Sequence, residues 1–193
     1  MTGTKLVEAA LMQFALHGYE GASLSSIAGE VGIKKESIYS HFKSKEHLFK
    51  SAFDYSISKE IEFIDNFFSR AENGTLIEKL RNFMTEYIDR YEKTTNTRFL
   101  IRNAFYPPAN IKEEIILKSY DLTEKLESML LNEVELIIHK ISNKLQPEEV
   151  VMTYITILDG LFVEMLYGGK SERLSKRRHS SWKVFVEGIG YKH

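Results

Sequence analysis

Lys34, Lys35, Lys43, Lys45 and Lys50 stand within residues 33–50, opposed only by Glu36 and Glu46, which leaves a local charge of +3 over 18 residues. Among them stand Ser37, Tyr39, Ser40 and His41. Ammonium groups, hydroxyls, an imidazole and one ring at such close spacing suit phosphate oxygens and the edges of bases better than they suit covalent chemistry. The chain as a whole has net charge −1 and pI about 6.6, which argues against a nucleic-acid partner only if charge is averaged. A DNA reader needs a basic patch, not a basic whole.

Other chemistries find little support. The six histidines (His17, His41, His47, His139, His179, His193) show no HExxH or comparable ligand spacing, and no serine sits in a nucleophile elbow. The absence of cysteine removes disulfides, thiolate catalysis and every cysteine-ligated metal. Catalytic residues, a metal and a cofactor are therefore not expected, and the chain is read as a non-enzyme. The opening MTGTKLVEAALMQFALHG is apolar but periodic and broken by charge, unlike a signal peptide. No stretch approaches the roughly 20 apolar residues that span a bilayer. A cytoplasmic protein with no membrane partner is expected.

The elements that must position these residues are helical. With 43% hydrophobic and 27% charged residues, a sizeable core can be buried, and only 3 prolines and 11 glycines punctuate the chain. Leu6 or Val7, Ala10, Leu11 and Phe14 make residues 4–17 an amphipathic helix stopped by Gly18. Ser23 can cap a short helix holding Ile27, Ala28 and Val31, which Gly32 ends. A third short helix follows over residues 34–42, with Ile38 and Phe42 inward. Ser44 then caps a rod over residues 44–71 carrying Phe49, Phe53, Ile57, Ile61, Ile64 and Phe68, ended at Asn73-Gly74. Further helices are predicted from Thr75, over 97–105, over 111 to about 145, from Pro147 to Gly168-Gly169, and over 172–189. The fold class is all-α, with about nine helices.

The close crossing permitted by Ala28 and Gly32, with Ile38 packed into it, is the skeleton of a helix-turn-helix. Together with the string Ile-Tyr-Ser-His-Phe-Lys-Ser-Lys-Glu-His-Leu-Phe and the upstream Phe14-x-x-x-Gly18-Tyr19, the first 50 residues or so resemble the TetR family of bacterial regulators. The resemblance implies an N-terminal three-helix DNA-binding domain (1–50) joined by the long helix to a C-terminal dimerisation and ligand-binding domain (51–193). It also implies double-stranded DNA as a partner, with Ser37 and Lys35 at base edges or nearby phosphates, and with Tyr39, His41 and Lys45 clamping phosphates. Ser23 or Ser25 would do the same at the second helix; Lys34, Glu36 and Ser40 complete the exposed face. Lys34 and Glu36 depart from the family's usual small residue and glycine. A glutamate there must accept from a cytosine amino group or pair with Lys35 or a partner residue.

In the body, the helix from Pro147 is apolar on two faces, through Val151, Ile155, Leu158, Phe162 and Met165 and through Val150, Tyr154, Ile157 and Leu161. Two apolar faces are met by an intrachain core helix or, as the family implies, by the same helix of a second copy. The expected homodimer interface is Val151, Ile155, Leu158, Gly160 and Phe162 with Trp182, Phe185 and Ile189 of the last helix. Two copies would read a near-palindromic operator, half-sites about 34 to 36 Å apart. By the same resemblance a small, largely apolar effector binds the body and releases DNA. Phe63, Phe67, Tyr87, Arg102, Phe105, Tyr120, Tyr154 and Phe162 are its expected contacts, with Asp159 a further orienting group, although most such rings simply fill a core. The basic run Lys170, Arg173, Lys176, Arg177, Arg178, Lys183 looks like a second basic patch and reads as a solvated face, with a rim of the pocket or interface as the other reading. A ligand-responsive transcriptional repressor is the function expected; a helical ligand-binding or scaffolding protein that no longer binds DNA is the alternative, favoured by Glu36.

Overall fold

The computed structural model describes residues 2–70, 74–141, 144–168 and 171–191. Expectations resting on Ala71, Asn73, Gly169, Lys170 and His193 lie outside the described residues. Among the described residues the regular structure is nine α-helices and two single 3-10 turns. Packing gathers them into two compact units, Met1–Asp65 with Arg90–Leu122, and Asn66–Asp89 with Thr123–His193.

In the first unit, α1 (Thr2–Gly21) buries Leu6, Ala10, Leu11 and Phe14. It breaks where predicted: Gly18 stands at φ 72, ψ 175, a conformation open in practice to glycine alone. The break turns Tyr19 back onto Phe14, ring centroids 6.0 Å apart, with Phe49 edge-on to Tyr19 at 5.2 Å. Ser23 caps α2 (Leu24–Val31) by accepting from the Ser26 amide, and Gly32 ends it in the left-handed region. Next come α3 (Lys35–Ile38) and α4 (Lys45–Ser69). The short helix α6 (Thr95–Phe105) packs on α1, so Phe99 and Leu100 share one apolar cluster with Phe14, Ile27, Ile38, Phe49 and Phe53. Each such buried side chain contributes about 1.5–3 kcal/mol. This is why the unit drawn by packing takes in residues 90–122 and does not stop near residue 50.

The second unit contains most of α5 (Leu76–Lys93), the later part of α7 (Lys112–Glu135), α8 (Pro147–Leu166) and α9 (Ser171–Ile189). Thr75 and Glu78 exchange hydrogen bonds at the start of α5 in a capping box. Phe67, Phe68, Phe83, Tyr87 and Phe162 follow one another at centroid distances of 5.0 to 5.5 Å. The single helix predicted over residues 111–145 ends at Glu135 and gives way to a 3-10 turn, Ile138–Lys140. Two adjacent β-branched isoleucines followed by histidine are weak helix formers, and Ile137 has already left helical geometry at φ −120, ψ 10.

Candidate nucleic-acid interface

The recognition segment is shorter as a helix than its sequence suggests. Only Lys35–Ile38 is α-helical, and residues 39–42 continue as turns in which the His41 and Phe42 amides both donate to the Ile38 carbonyl. Lys34 stands at the N-cap without a side-chain hydrogen bond, and Ser40 Oγ donates to the Ser37 carbonyl at 2.7 Å. An uncapped start and a serine competing for a backbone acceptor both shorten helices. Two anchors hold the segment: Ile38 is fully buried and Phe42 nearly so. Lys34, Lys35, Glu36, Ser37, Tyr39, Ser40 and His41 are all exposed. Their arrangement, donors with one carboxylate and one ring on a face fixed from beneath, can pair with phosphates and base edges.

The flanking residues divide. Ser25 is exposed, whereas the Ser23 hydroxyl is engaged with Ser26 as the cap of α2. Lys45 is half-buried; its Nζ donates to the Glu20 carbonyl at 3.2 Å and lies 4.7 Å over the Tyr19 ring, so its ammonium ties the end of α1 to the start of α4. At the next turn Ser44 Oγ accepts from the His47 amide and His47 Nδ1 accepts from the Lys43 amide. Sequence reading puts His47 in the DNA-facing region beside His41, where phosphate contact would explain it; its acceptor role depends on a turn geometry that residue type does not reveal.

Charges below the head bind α4 to α7. Lys50 Nζ reaches Glu46 at 2.8 Å and Glu114 at 2.7 Å, Lys118 bridges Glu114 and Asp54, and Asn110 donates to Glu46 at 3.0 Å. The hydrogen bond from Lys50 holds the Glu46 and Glu114 carboxyls below the usual carboxylate range, and the Lys50 ammonium is pushed up in return. Further along α4, Glu60 is fully buried and accepts from Arg90 Nε and Nη2, Asn96 Nδ2 and Thr97 Oγ1, all between 3.2 and 3.4 Å. No sequence signal pointed to Glu60, since its partners are 30 or more residues away.

The expected effector contacts do not share one environment. Phe63, Arg102, Phe105 and Tyr120 belong to the first unit, and Phe67, Tyr87, Tyr154 and Phe162 to the second. Arg102, Phe105 and Tyr120 are exposed, not enclosed. Tyr154 is buried with its hydroxyl committed to the Leu80 carbonyl at 2.7 Å, and Phe63 lies under the Arg90 guanidinium at 3.9 Å. Burial, then the charge of Glu127, pushes the Asp159 carboxyl up.

At the expected dimer face, Val151, Ile155, Leu158, Phe185 and Ile189 are already buried in the single protomer, while Gly160, Phe162 and Trp182 are half-buried. The two apolar seams of α8 are thus largely satisfied within the protomer, the intrachain reading of that pattern. What remains open is a groove of about 470 Å³ between α8 and α9, with Thr153, Ile157, Val184 and Gly188 along it and Phe185 and Ile189 in its lining. The basic run of α9 is not purely solvated: Arg173 Nε and Arg177 Nη1 meet the buried Glu164 of α8 at 2.9 and 2.5 Å. Among the described residues no group of three or more His, Asp or Glu could hold a metal, and no helix is long and apolar enough to cross a membrane.

Comparison with known proteins falls on the same segment. Residues 6–52 match the family model for bacterial regulatory proteins, tetR family. The biofilm operon icaADBC HTH-type negative transcriptional regulator IcaR of Staphylococcus aureus is 25% identical over 168 residues, 86% of this chain and 85% of IcaR. Among solved structures, a TetR transcriptional regulator from Chloroflexus aurantiacus matches with TM-score 0.80 at 18% identity, covering 96% of this chain and 94% of that one. The transcriptional regulator FadR from Bacillus subtilis, in complex with stearoyl-CoA, matches with TM-score 0.72 at 20% identity, covering 96% and 98%. At these identities the structural matches speak for the fold.

Proposed function

We propose that the chain, whose residues 6–52 match the model for bacterial regulatory proteins of the tetR family and which is 25% identical to the negative transcriptional regulator IcaR, is a non-enzymatic member of that family: a cytoplasmic, effector-responsive repressor that grips a near-palindromic operator as a homodimer. The observation that carries this reading is the recognition segment, where buried Ile38 and Phe42 leave seven consecutive-face side chains, Lys34 to His41, free to meet a duplex. Residues 1–50 supply the DNA contacts, and residues 51–193 supply dimerisation and effector binding. Within the interface, Lys34, Lys35, Tyr39 and His41 meet phosphates, and Lys35, Glu36, Ser37 and Ser40 meet base edges. Ser23, Ser25 and Lys45 flank them, Lys45 chiefly by securing Tyr19.

A single short helix reads too few base pairs to be selective, so a second copy is required. The open groove between α8 and α9 supports a partner there, since apolar Ile157 and Val184 line it. The rings of the second unit, Phe67, Phe83, Tyr87 and Phe162, support an apolar effector, and a related fold is known with stearoyl-CoA. A coupling of roughly 1 to 3 kcal/mol between effector and operator suffices for regulation.

Selecting bound sequences from a random duplex pool and titrating the winner at several salt concentrations tests the reading. A symmetric site, two protomers per duplex and an affinity that falls steeply with salt are expected. A weak, salt-independent interaction would favour a helical scaffolding or ligand-binding protein.

A further inference from the structure

The turn between the recognition segment and α4 is closed by an imidazole. Ser44 is the N-cap of α4: its Oγ accepts the His47 amide at 3.0 Å and its carbonyl accepts the Leu48 amide at 3.1 Å. In the reverse direction His47 Nδ1 accepts the Lys43 amide at 3.2 Å. A capping box ordinarily carries a glutamate or glutamine at this third helical position. A histidine in its place accepts only while that nitrogen bears no proton, so the hydrogen bond assigns the ring proton to Nε2.

The ring is also held from the side. Phe42, one of the two buried anchors of the recognition segment, lies edge-on to the imidazole at 5.5 Å. The charged and titratable groups around this turn are His41, whose ring lies 6.4 Å from that of Phe42, Lys43 and Lys45 on the turn itself, and Glu46 with Lys50 on the first turns of α4. Glu46 is committed to Lys50 and Asn110, and Lys45 to the Glu20 carbonyl. None of these supplies a second acceptor for the Lys43 amide.

We infer that His47 is a positioning residue for DNA binding: by accepting the Lys43 amide it fixes residues 42–45, and with them the seating of the recognition segment on α4, and it lets go when protonated. The inference rests on the DNA-binding reading. The sign of its pH dependence separates it from the obvious alternative. A histidine that met phosphate as a cation would tighten binding as the solution is acidified. Here a second ring proton would face the Lys43 N–H donor to donor, and would place positive charge at the positive end of the α4 dipole. Acidification therefore loosens the turn and weakens DNA binding.

Two variants of the full chain test this. His47→Asn puts an oxygen where Nδ1 stands and does not titrate between pH 5 and 8; His47→Leu keeps apolar bulk beside Phe42, offers no acceptor and leaves the Lys43 amide unpaired. Hydrogen exchange at the Lys43 amide, without DNA, should be slower in H47N than in H47L by roughly three- to tenfold, the loss of one cap. On the operator duplex selected above, H47N should bind more tightly than H47L by a similar factor. Lowering the pH from about 7.5 to 5.5 should weaken the unmodified protein more than H47N. Equal Lys43 exchange in the two variants overturns the cap, and equal duplex affinity overturns its role in binding. An affinity that rises on acidification in the unmodified protein but not in H47N makes His47 a phosphate contact instead. If the unmodified protein selects no duplex at all, the regulator reading falls, and a Lys43 exchange contrast that survives shows the two failures to be separate.

Discussion

Arg90 donates to both carboxylate oxygens of Glu60, at 3.3 Å each, and Glu60 has no exposed surface. The carboxylate also takes hydrogen bonds from Asn96 and Thr97 of α6, so α4, the end of α5 and α6 share one buried charge. Removing one partner of a buried pair leaves the other uncompensated, which costs about 3–5 kcal/mol. Arg90→Leu is expected to cost near the lower end, because the Arg90 side chain keeps a quarter of its surface. Glu60→Gln, which keeps an acceptor, should cost less. Urea unfolding of the three proteins side by side checks the order.

Acid should act through the contacts between α4 and α7. Glu46 and Glu114 have carboxyls held below their ordinary range by Lys50. A carboxylate lowered in the folded state contributes stability that is fully present above its unfolded pKa, about 4.3 for glutamate, and is lost as pH falls through the lowered value. Glu114→Gln is therefore expected to make stability less pH-dependent below about pH 4.3. The difference should shrink in high salt because these groups are solvent-screened. A pH series of thermal melts at two salt concentrations reads both effects.

Gly32 ends α2 at φ 72, ψ 31, with open space where a Cβ would stand. Its cost of replacement is thus backbone strain without a clash. Gly32→Ala should lower stability by about 1 kcal/mol and Gly32→Asn by less, since asparagine tolerates the left-handed region. Differential scanning calorimetry of both variants would show it.

Val184 is 68% exposed in the protomer and lines the groove between α8 and α9. If two copies meet across this groove, as proposed, Val184→Glu leaves the protomer folded while shifting the dimer toward monomer. Light scattering gives the mass and circular dichroism the helix content. An unchanged dimer mass would move the interface to another face.

Lys35 and Tyr39 stand exposed on the recognition segment. If Lys35 neutralises a phosphate, Lys35→Ala should weaken binding on every duplex and reduce the salt slope by about one. If it reads a base, the loss should concentrate on one operator position. Comparing the variant on the selected site and on a scrambled one separates these cases.

The head was legible because its signals are local. Gly18, Ser23, Gly32 and Ser44 each break or cap a helix within a few residues of themselves, and each does so in the structure. Ile38 and Phe42 followed from spacing alone. The body was less legible because its decisive contacts are remote. Glu164 of α8 pairs with Arg173 and Arg177 of α9, so a basic run read as solvated proves partly tied down. Residue type could not tell that Tyr154 spends its hydroxyl on Leu80. Nor could it tell that α8 finds cover for most of both apolar seams within one protomer, since a helix with two apolar faces says how much it must bury but not against whom.

The recognition segment hangs from two anchors, Ile38 and Phe42, while the side chains between and before them lie exposed. If these seven meet DNA as proposed, stability and sequence preference are written in different residues. Drift among the outward seven would alter which promoter is recognised at almost no thermodynamic penalty, so a lineage carrying this head could be rewired to new genes by a few substitutions while its scaffold stays untouched.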